Sequence, residues 1–191
     1  MTSERPAPPN VNDDRAIGVI GTGIMGRSMA GHLLAAGYEV HVFNRTRSKA
    51  EPLLAAGATW HDTPGDVAEA SDVVITMVGM PADVEEVYFG GTKAVPEGSG
   101  LVGRSRSGTL LIDMTTSSPT LACRIASAAA GRGLAAIDAP VTGGDVGARA
   151  ATLTIMLGGD AAACERARPM LNRLGKSVTR LGAAGAGQRC K

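Results

Sequence analysis

The feature that most constrains this chain is the order Gly21-Thr22-Gly23-Ile24-Met25-Gly26, set between a short apolar run, Ala16–Ile20, and a longer periodic one, Ile24–Ala36. A strand that ends in such a turn and feeds directly into a helix needs each of its glycines. Gly21 permits the tight turn, Gly23 keeps a side chain out of the space beyond it, and Gly26 lets the helix lie close to the strand. The helix then offers free N–H groups and the positive end of its dipole, a combination that suits a pyrophosphate. A glycine-rich turn without a ligand is the alternative. The placement between a strand and a helix favours dinucleotide binding, with Gly21, Gly23, Ile24, Met25 and Gly26 as contacts.

The rest of the sequence repeats the alternation. Strands are predicted at Glu39–Phe43, Ala58–Trp60, Asp72–Val78, Leu110–Asp113, Ala135–Asp138, Thr152–Leu157 and Ser177–Leu181. Helices are predicted at Ser48–Ala56, Pro64–Ala70, Pro81–Tyr88, Pro119–Ala130 and Ala161–Leu174, with Thr63 as an N-cap and Pro64 at the favoured first position. Continuous apolar strands such as DVVITMV belong in a parallel sheet covered on both faces. The fold class is therefore α/β: a doubly wound, mainly parallel sheet of the Rossmann type, with room for an antiparallel edge. The Gly- and Ser-rich stretch 90–108, which carries Arg104 and Arg106, reads as a flexible loop. Residues 1–15 are polar and proline-rich and read as a disordered tail, with the dinucleotide-binding domain over 16–181 and a further segment over 182–191.

Composition narrows the function. A net charge of +1 with mixed signs argues against nucleic-acid or membrane partners, and no apolar run is long enough to span a bilayer. Aromatic residues are only 3% of the chain, so the core must be aliphatic. The 3 cysteines, Cys123, Cys164 and Cys190, are too scattered for a disulfide framework or a zinc site. They read as reduced thiols in a cytoplasmic protein, and no metal site is expected.

The end of the second strand bears on which dinucleotide is bound. A carboxylate there would accept from both ribose hydroxyls of NAD; the residues present are Asn44, Arg45 and Thr46. Arg45 can pair bidentately with a 2′-phosphate and Thr46 can donate to it, whereas the alternative is a solvated cation at a strand end. The expectation is NADP, with NAD possible.

With these segments in place the sequence resembles the β-hydroxyacid dehydrogenase family, which includes 3-hydroxyisobutyrate dehydrogenase, tartronate semialdehyde reductase, glyoxylate/succinic semialdehyde reductase and 6-phosphogluconate dehydrogenase. The likeness covers residues 16–191. It is carried by IGVIGTGIMGRSMAGHLLAAGYEVHVFNRT, DVVITMVGMPADVEEVYFG, LIDMTTSSP, and DAPVTGGDVGARAATLTIMLGGD followed by GAAGAGQRCK. The resemblance implies that Val78 and Gly79 border the cofactor, that Thr116 contacts the nicotinamide ribose and that Thr115 is a substrate-binding hydroxyl. It also implies that the Thr142-Gly143-Gly144 loop holds a substrate carboxylate through its N–H groups. Lys191, closing the stretch that begins Gly185-Ala186-Gly187, falls at the family's catalytic lysine, which exchanges a proton with the substrate hydroxyl. LTIMLGG is closer to the hydroxyisobutyrate and semialdehyde enzymes than to phosphogluconate dehydrogenase.

The family's chains continue beyond this lysine into a long helix and an all-helical domain that closes the cleft and builds a homo-oligomer. The sequence ends on Lys191 and reads as an N-terminal fragment or a short gene product, with no following helix to fix the lysine backbone. The expected activity is reversible hydride transfer to or from a small 3-hydroxyacid or semialdehyde. The alternatives are a binding module for NADP(H) with little or no catalysis and, less supported by the residues, a structural protein on a cofactor-shaped fold.

Overall fold

The computed structural model describes residues 14–93 and 95–191. Strand β1 (Ala16–Ile20) leads into α1 (Ile24–Ala35), and β2 (Glu39–Phe43) follows. A 3-10 turn over Arg47–Ala50 precedes α2 (Glu51–Ala55), so Pro52 splits the single helix expected there by taking a position in the first turn of α2. Next come β3 (Thr59–Trp60), α3 (Pro64–Ala70), β4 (Val73–Thr76), α4 (Pro81–Phe89) and α5 (Leu101–Arg104). The chain continues through β5 (Leu110–Asp113), α6 (Pro119–Ala130), β6 (Ala135–Asp138), β7 (Val141–Thr142) and α7 (Gly144–Arg149). It closes with β8 (Leu153–Gly158), α8 (Ala161–Leu171), β9 (Gly175–Gly182) and α9 (Ala186–Cys190). The predicted Thr63 cap is present, its hydroxyl accepting from the Asp66 N–H at 3.1 Å.

The strand order is β3-β2-β1-β4-β5-β6-β8-β7, with β9 on β8. The first six strands are parallel and run in the order of a Rossmann fold. The sheet then reverses: β8 meets β6 and β7 antiparallel, and β9 lies parallel to β8. Alternation along the central strands sorts the core into two layers. Ile17, Val19, Val73, Ile75, Leu110 and Ile112 face one cluster with Met29 and Leu33 of α1. Ile20, Val74 and Leu111 face the other, with Val67, Tyr88 and Ile125. Among the described residues no helix is long and apolar enough to cross a membrane.

Three expectations need correction. Stretch 90–108 is not a loose loop. Leu101 is fully buried, Val95 and Val102 nearly so, and Leu101 joins the cluster under α4. Three of its glycines, Gly90, Gly100 and Gly103, serve close approach: a Cβ on Gly100 would come within 2.6 Å of the Tyr88 carbonyl oxygen. Arg104 pairs with Glu69 at 2.8 Å and Arg106 with Asp72 at 3.2 Å, so its cations fasten it to the domain. The glycine-rich run after β7 forms α7, whose last carbonyls, at Ala148 and Arg149, lie 3.0 and 3.1 Å from His32 Nε2 on α1. Of the proposed tail, residues 1–13 lie outside the described residues, but Asp14 and Arg15 are not loose. Arg166 donates to both carboxylate oxygens of Asp14, at 2.9 and 2.7 Å, and the Arg15 N–H donates to Asp72 at 3.1 Å.

Because Leu101 fills a core position, Leu101→Ala should lower the unfolding free energy by about 2–4 kcal/mol in urea denaturation. A change under about 0.5 kcal/mol would show the segment to be as dispensable as its composition suggests.

Candidate functional site

The C-terminal ends of β1 and β4 diverge where the strand order reverses, and the cleft opens there. It measures about 380 Å³ and is lined by the glycine turn, Phe43 to Arg45 after β2, and Met77 to Gly79 after β4. Gly21 turns with φ +95°, a conformation that side chains rarely adopt, and a Cβ there would strike the Met77 carbonyl oxygen. A Cβ on Gly26 would strike the Gly21 carbonyl oxygen, so the first turn of α1 rests directly on the end of β1. Gly23 differs from both: a Cβ at this position meets nothing within 4 Å, and it points into space a ligand can use. The three roles expected of the motif are therefore separable in the structure. Asn44 braces the turn, its Oδ1 accepting from the Thr22 N–H at 2.9 Å while its Nδ2 donates to the Thr46 carbonyl at 2.9 Å.

Arg45 reaches the cleft and is 71% exposed. Two residues missed in the sequence stand beside it. Lys49, in the 3-10 turn that follows β2, lines the same cleft. Asp83, from α4, pairs with Arg45 at 3.1 Å, while its other oxygen accepts the Met80 N–H at 3.0 Å. No local pattern could have linked Asp83 to Arg45, because the cleft alone brings α4 to the end of β2. Ile24, Met25, Val78 and Gly79 line the cleft as expected; Thr46 is exposed outside its walls.

Beyond β5 the arrangement differs from expectation. Thr115 is 1% exposed, and its Oγ1 accepts the Val78 N–H at 3.1 Å. Its hydroxyl is committed to holding the cleft wall, and of the pair only Thr116 is exposed. Gln188, another residue not anticipated, clamps this turn: Oε1 accepts from the Ser117 N–H at 2.9 Å and Nε2 donates to the Thr115 carbonyl at 2.8 Å. Gln188 belongs to α9, and buried Asp138 holds that helix by accepting from Gly185 N–H at 2.6 Å and Gln188 N–H at 2.9 Å. Lys191 is exposed at the end of α9, its N–H donating to the Gly187 carbonyl at 3.1 Å. The helix before the lysine thus holds its backbone N–H. Thr142 and Gly143 lead into α7 with Gly143 at φ +122° and Gly144 at φ +59°, and all three are exposed.

Asp113 lies beside Asp138 on the neighbouring strand. Its Oδ1 accepts from the Thr115 N–H at 3.0 Å, and its Oδ2 has no partner. Burial pushes this carboxyl up to about 7; the Thr115 hydrogen bond opposes the rise and the nearby Asp138 charge adds to it. The buried Tyr88 phenol is pushed well above its ordinary range by burial and by Asp113. No group of three or more His, Cys, Asp or Glu that could hold a metal occurs among the described residues.

The family model described as the NAD binding domain of 6-phosphogluconate dehydrogenase matches residues 16–182. The chain belongs to the β-hydroxyacid dehydrogenase family. A probable 3-hydroxyisobutyrate dehydrogenase-like protein of Arabidopsis thaliana is 50% identical over 92% of this chain and 50% of its own length. The NAD-dependent L-serine dehydrogenase of Pseudomonas aeruginosa is 42% identical over 93% of this chain and 57% of its own. Among solved structures, the Mycobacterium tuberculosis 3-hydroxyisobutyrate dehydrogenase with L-serine superposes with a TM-score of 0.84 at 34% identity, over 93% of this chain and 57% of that one. The chain therefore spans between half and three fifths of the length of these relatives.

Membership makes the cofactor a nicotinamide dinucleotide, and the open position at Gly23, facing the N-terminus of α1, fits its pyrophosphate. Gly23→Val should leave circular dichroism and melting unchanged, because the new side chain meets no protein atom, yet cut dinucleotide affinity at least about tenfold in a fluorescence titration. Unaltered affinity would place the phosphates elsewhere.

Asp113 carries a pH signature. Its folded pKa lies above the unfolded value, so the native state retains a proton that the unfolded chain releases. Stability from this group is present below about pH 4 and declines until about pH 7. Asp113→Asn, which keeps an acceptor for the Thr115 N–H, should therefore be more stable than the wild type at pH 8 by at least about 1 kcal/mol. That advantage should vanish near pH 4 in denaturant titrations. A pH-independent difference would mean that Asp113 titrates alike in the folded and unfolded chain.

Proposed function

We propose that the chain is the cofactor-binding portion of an NADP-dependent oxidoreductase that transfers hydride reversibly between nicotinamide and a small 3-hydroxyacid or the matching semialdehyde. The observation that carries this is Gln188. It joins the helix bearing Lys191 to the Thr115–Ser117 turn, and Val78 joins that turn to the cleft wall. The cofactor cleft and a general-acid/base lysine are thereby parts of one rigid frame.

Bound nicotinamide would supply the hydride chemistry. Lys191 would hold or release the proton on the substrate hydroxyl, Thr116 would contact the nicotinamide ribose, and the Thr142-Gly143-Gly144 segment would hold the substrate carboxylate. Arg45 and Lys49, both lining the cleft, support NADP by offering two cations to a 2′-phosphate. The activity is proposed for the whole protein, since the relatives carry substantially more chain than this one. In these enzymes a helical domain would cover the cleft, exclude water and supply further substrate contacts.

The test is a steady-state assay with 3-hydroxyisobutyrate, L-serine and 2-hydroxy-3-oxopropionate, each with NADP and with NAD cofactors. Turnover favouring NADP should fall at least about 100-fold in Lys191→Ala, with cofactor affinity unchanged. Turnover that survives the substitution would remove the lysine from the chemistry. A cofactor that binds without any turnover would leave a dinucleotide-binding module.

A further inference from the structure

The carboxylate that sequence reading finds missing from the end of β2 is supplied to the same cleft from α4. Asp83 is the more fixed member of its pair with Arg45: its side chain is 20% exposed against 71% for the arginine. Its Oδ2 is held by the Met80 N–H at 3.0 Å, and its Oδ1 lies 3.1 Å from Arg45 Nη1. Both residues line the cleft, as does Lys49.

We propose that Asp83 is a specificity-determining residue that restrains the preference for NADP over NAD by occupying Arg45, the cation a 2′-phosphate would use. The inference rests on the proposal that Arg45 binds that phosphate. A phosphate must take Arg45 away from a carboxylate that stays in place. A free 2′-hydroxyl needs no such exchange. The pair is largely solvated, so the effect is moderate rather than absolute. It gives a physical basis for differing cofactor preferences in a family where the Pseudomonas relative is named for NAD.

The experiment measures dissociation constants of NADP+ and NAD+ by calorimetry for the wild type, Asp83→Asn, Arg45→Ala and the double variant. Asparagine retains an oxygen for the Met80 N–H, so the start of α4 keeps its cap; Asp83→Ser, which also keeps an acceptor, replaces it should the first variant fail to fold. The ratio of the NAD+ to the NADP+ constant should rise about three- to tenfold in Asp83→Asn. It should fall in Arg45→Ala and be no different in the double variant than in Arg45→Ala. A ratio unmoved by Asp83→Asn while Arg45→Ala lowers it overturns the inference alone. An equal rise on the Arg45→Ala background overturns it too, because Asp83 would then act without the pair. A ratio unmoved by Arg45→Ala removes the NADP reading itself.

Discussion

The structure depends on the contact between the Gly21 carbonyl and Gly26, where no side-chain atom can stand. Because α1 rests on the end of β1 without a spacer, its axis and N-terminus are fixed relative to the central strand. Met29, Ala30 and Leu33 are then carried onto the face of the sheet formed by Val19, Val42 and Ile75, and His32 is brought to the end of α7. The same contact aims the first turn of α1 across Gly23 into the cleft. A single steric requirement therefore governs both a large share of the core and the place where a phosphate can be met by N–H groups.

On the opposite side of the sheet that task falls to a charge. Asp138 ends the last parallel strand, where β8 reverses direction, and its two oxygens take the N–H groups of Gly185 and Gln188. A Cβ on Gly187 would come within 2.8 Å of this carboxylate, and one on Gly158 would meet it as well, so both glycines are needed for the helix to close over it. Charge-assisted bonds of this kind are worth roughly 1.5–3 kcal/mol each when buried. Asp113, on the adjoining strand, has one partnered oxygen and one without a partner, and its carboxyl is pushed up to about 7. Two neighbouring buried carboxylates thus serve differently: one organises the lysine helix, and the other registers pH.

Long apolar strands and their glycine or proline boundaries were legible because each depends on a local pattern; Ala16–Ile20, Glu39–Phe43, Leu110–Asp113 and Pro119–Ala130 needed no partner to be recognised. Composition misled in stretch 90–108. Gly100 there marks close approach to the Tyr88 and Phe89 backbone, and solvent exposure gives the same signature in sequence. Helix α7 was hidden for a related reason, since its first residue is a glycine at positive φ and its stability comes from contact with α1. Within the site, the glycine-turn residues Gly21 to Gly26 that line the cleft were legible from the motif, Asn44 and Arg45 from the end of the second strand, and Val78 and Gly79 from the resemblance. Asp83 and Gln188 were not, because each acts across a gap that only the folded sheet closes.

The burial of Thr115 has a consequence for how the two halves of the site communicate. A hydroxyl free in the cleft could hold a substrate but would leave the β4 and β5 ends mechanically independent. Here Val78 N–H bonds to Thr115 Oγ1, Thr115 carbonyl accepts from Gln188 Nε2, and Gln188 N–H bonds to Asp138. The wall of the dinucleotide cleft is joined to α9 by two successive hydrogen bonds within 3.1 Å, and a third ties α9 to Asp138. The cleft wall and α9 are thereby held in one relative position through Val78, Thr115 and Gln188.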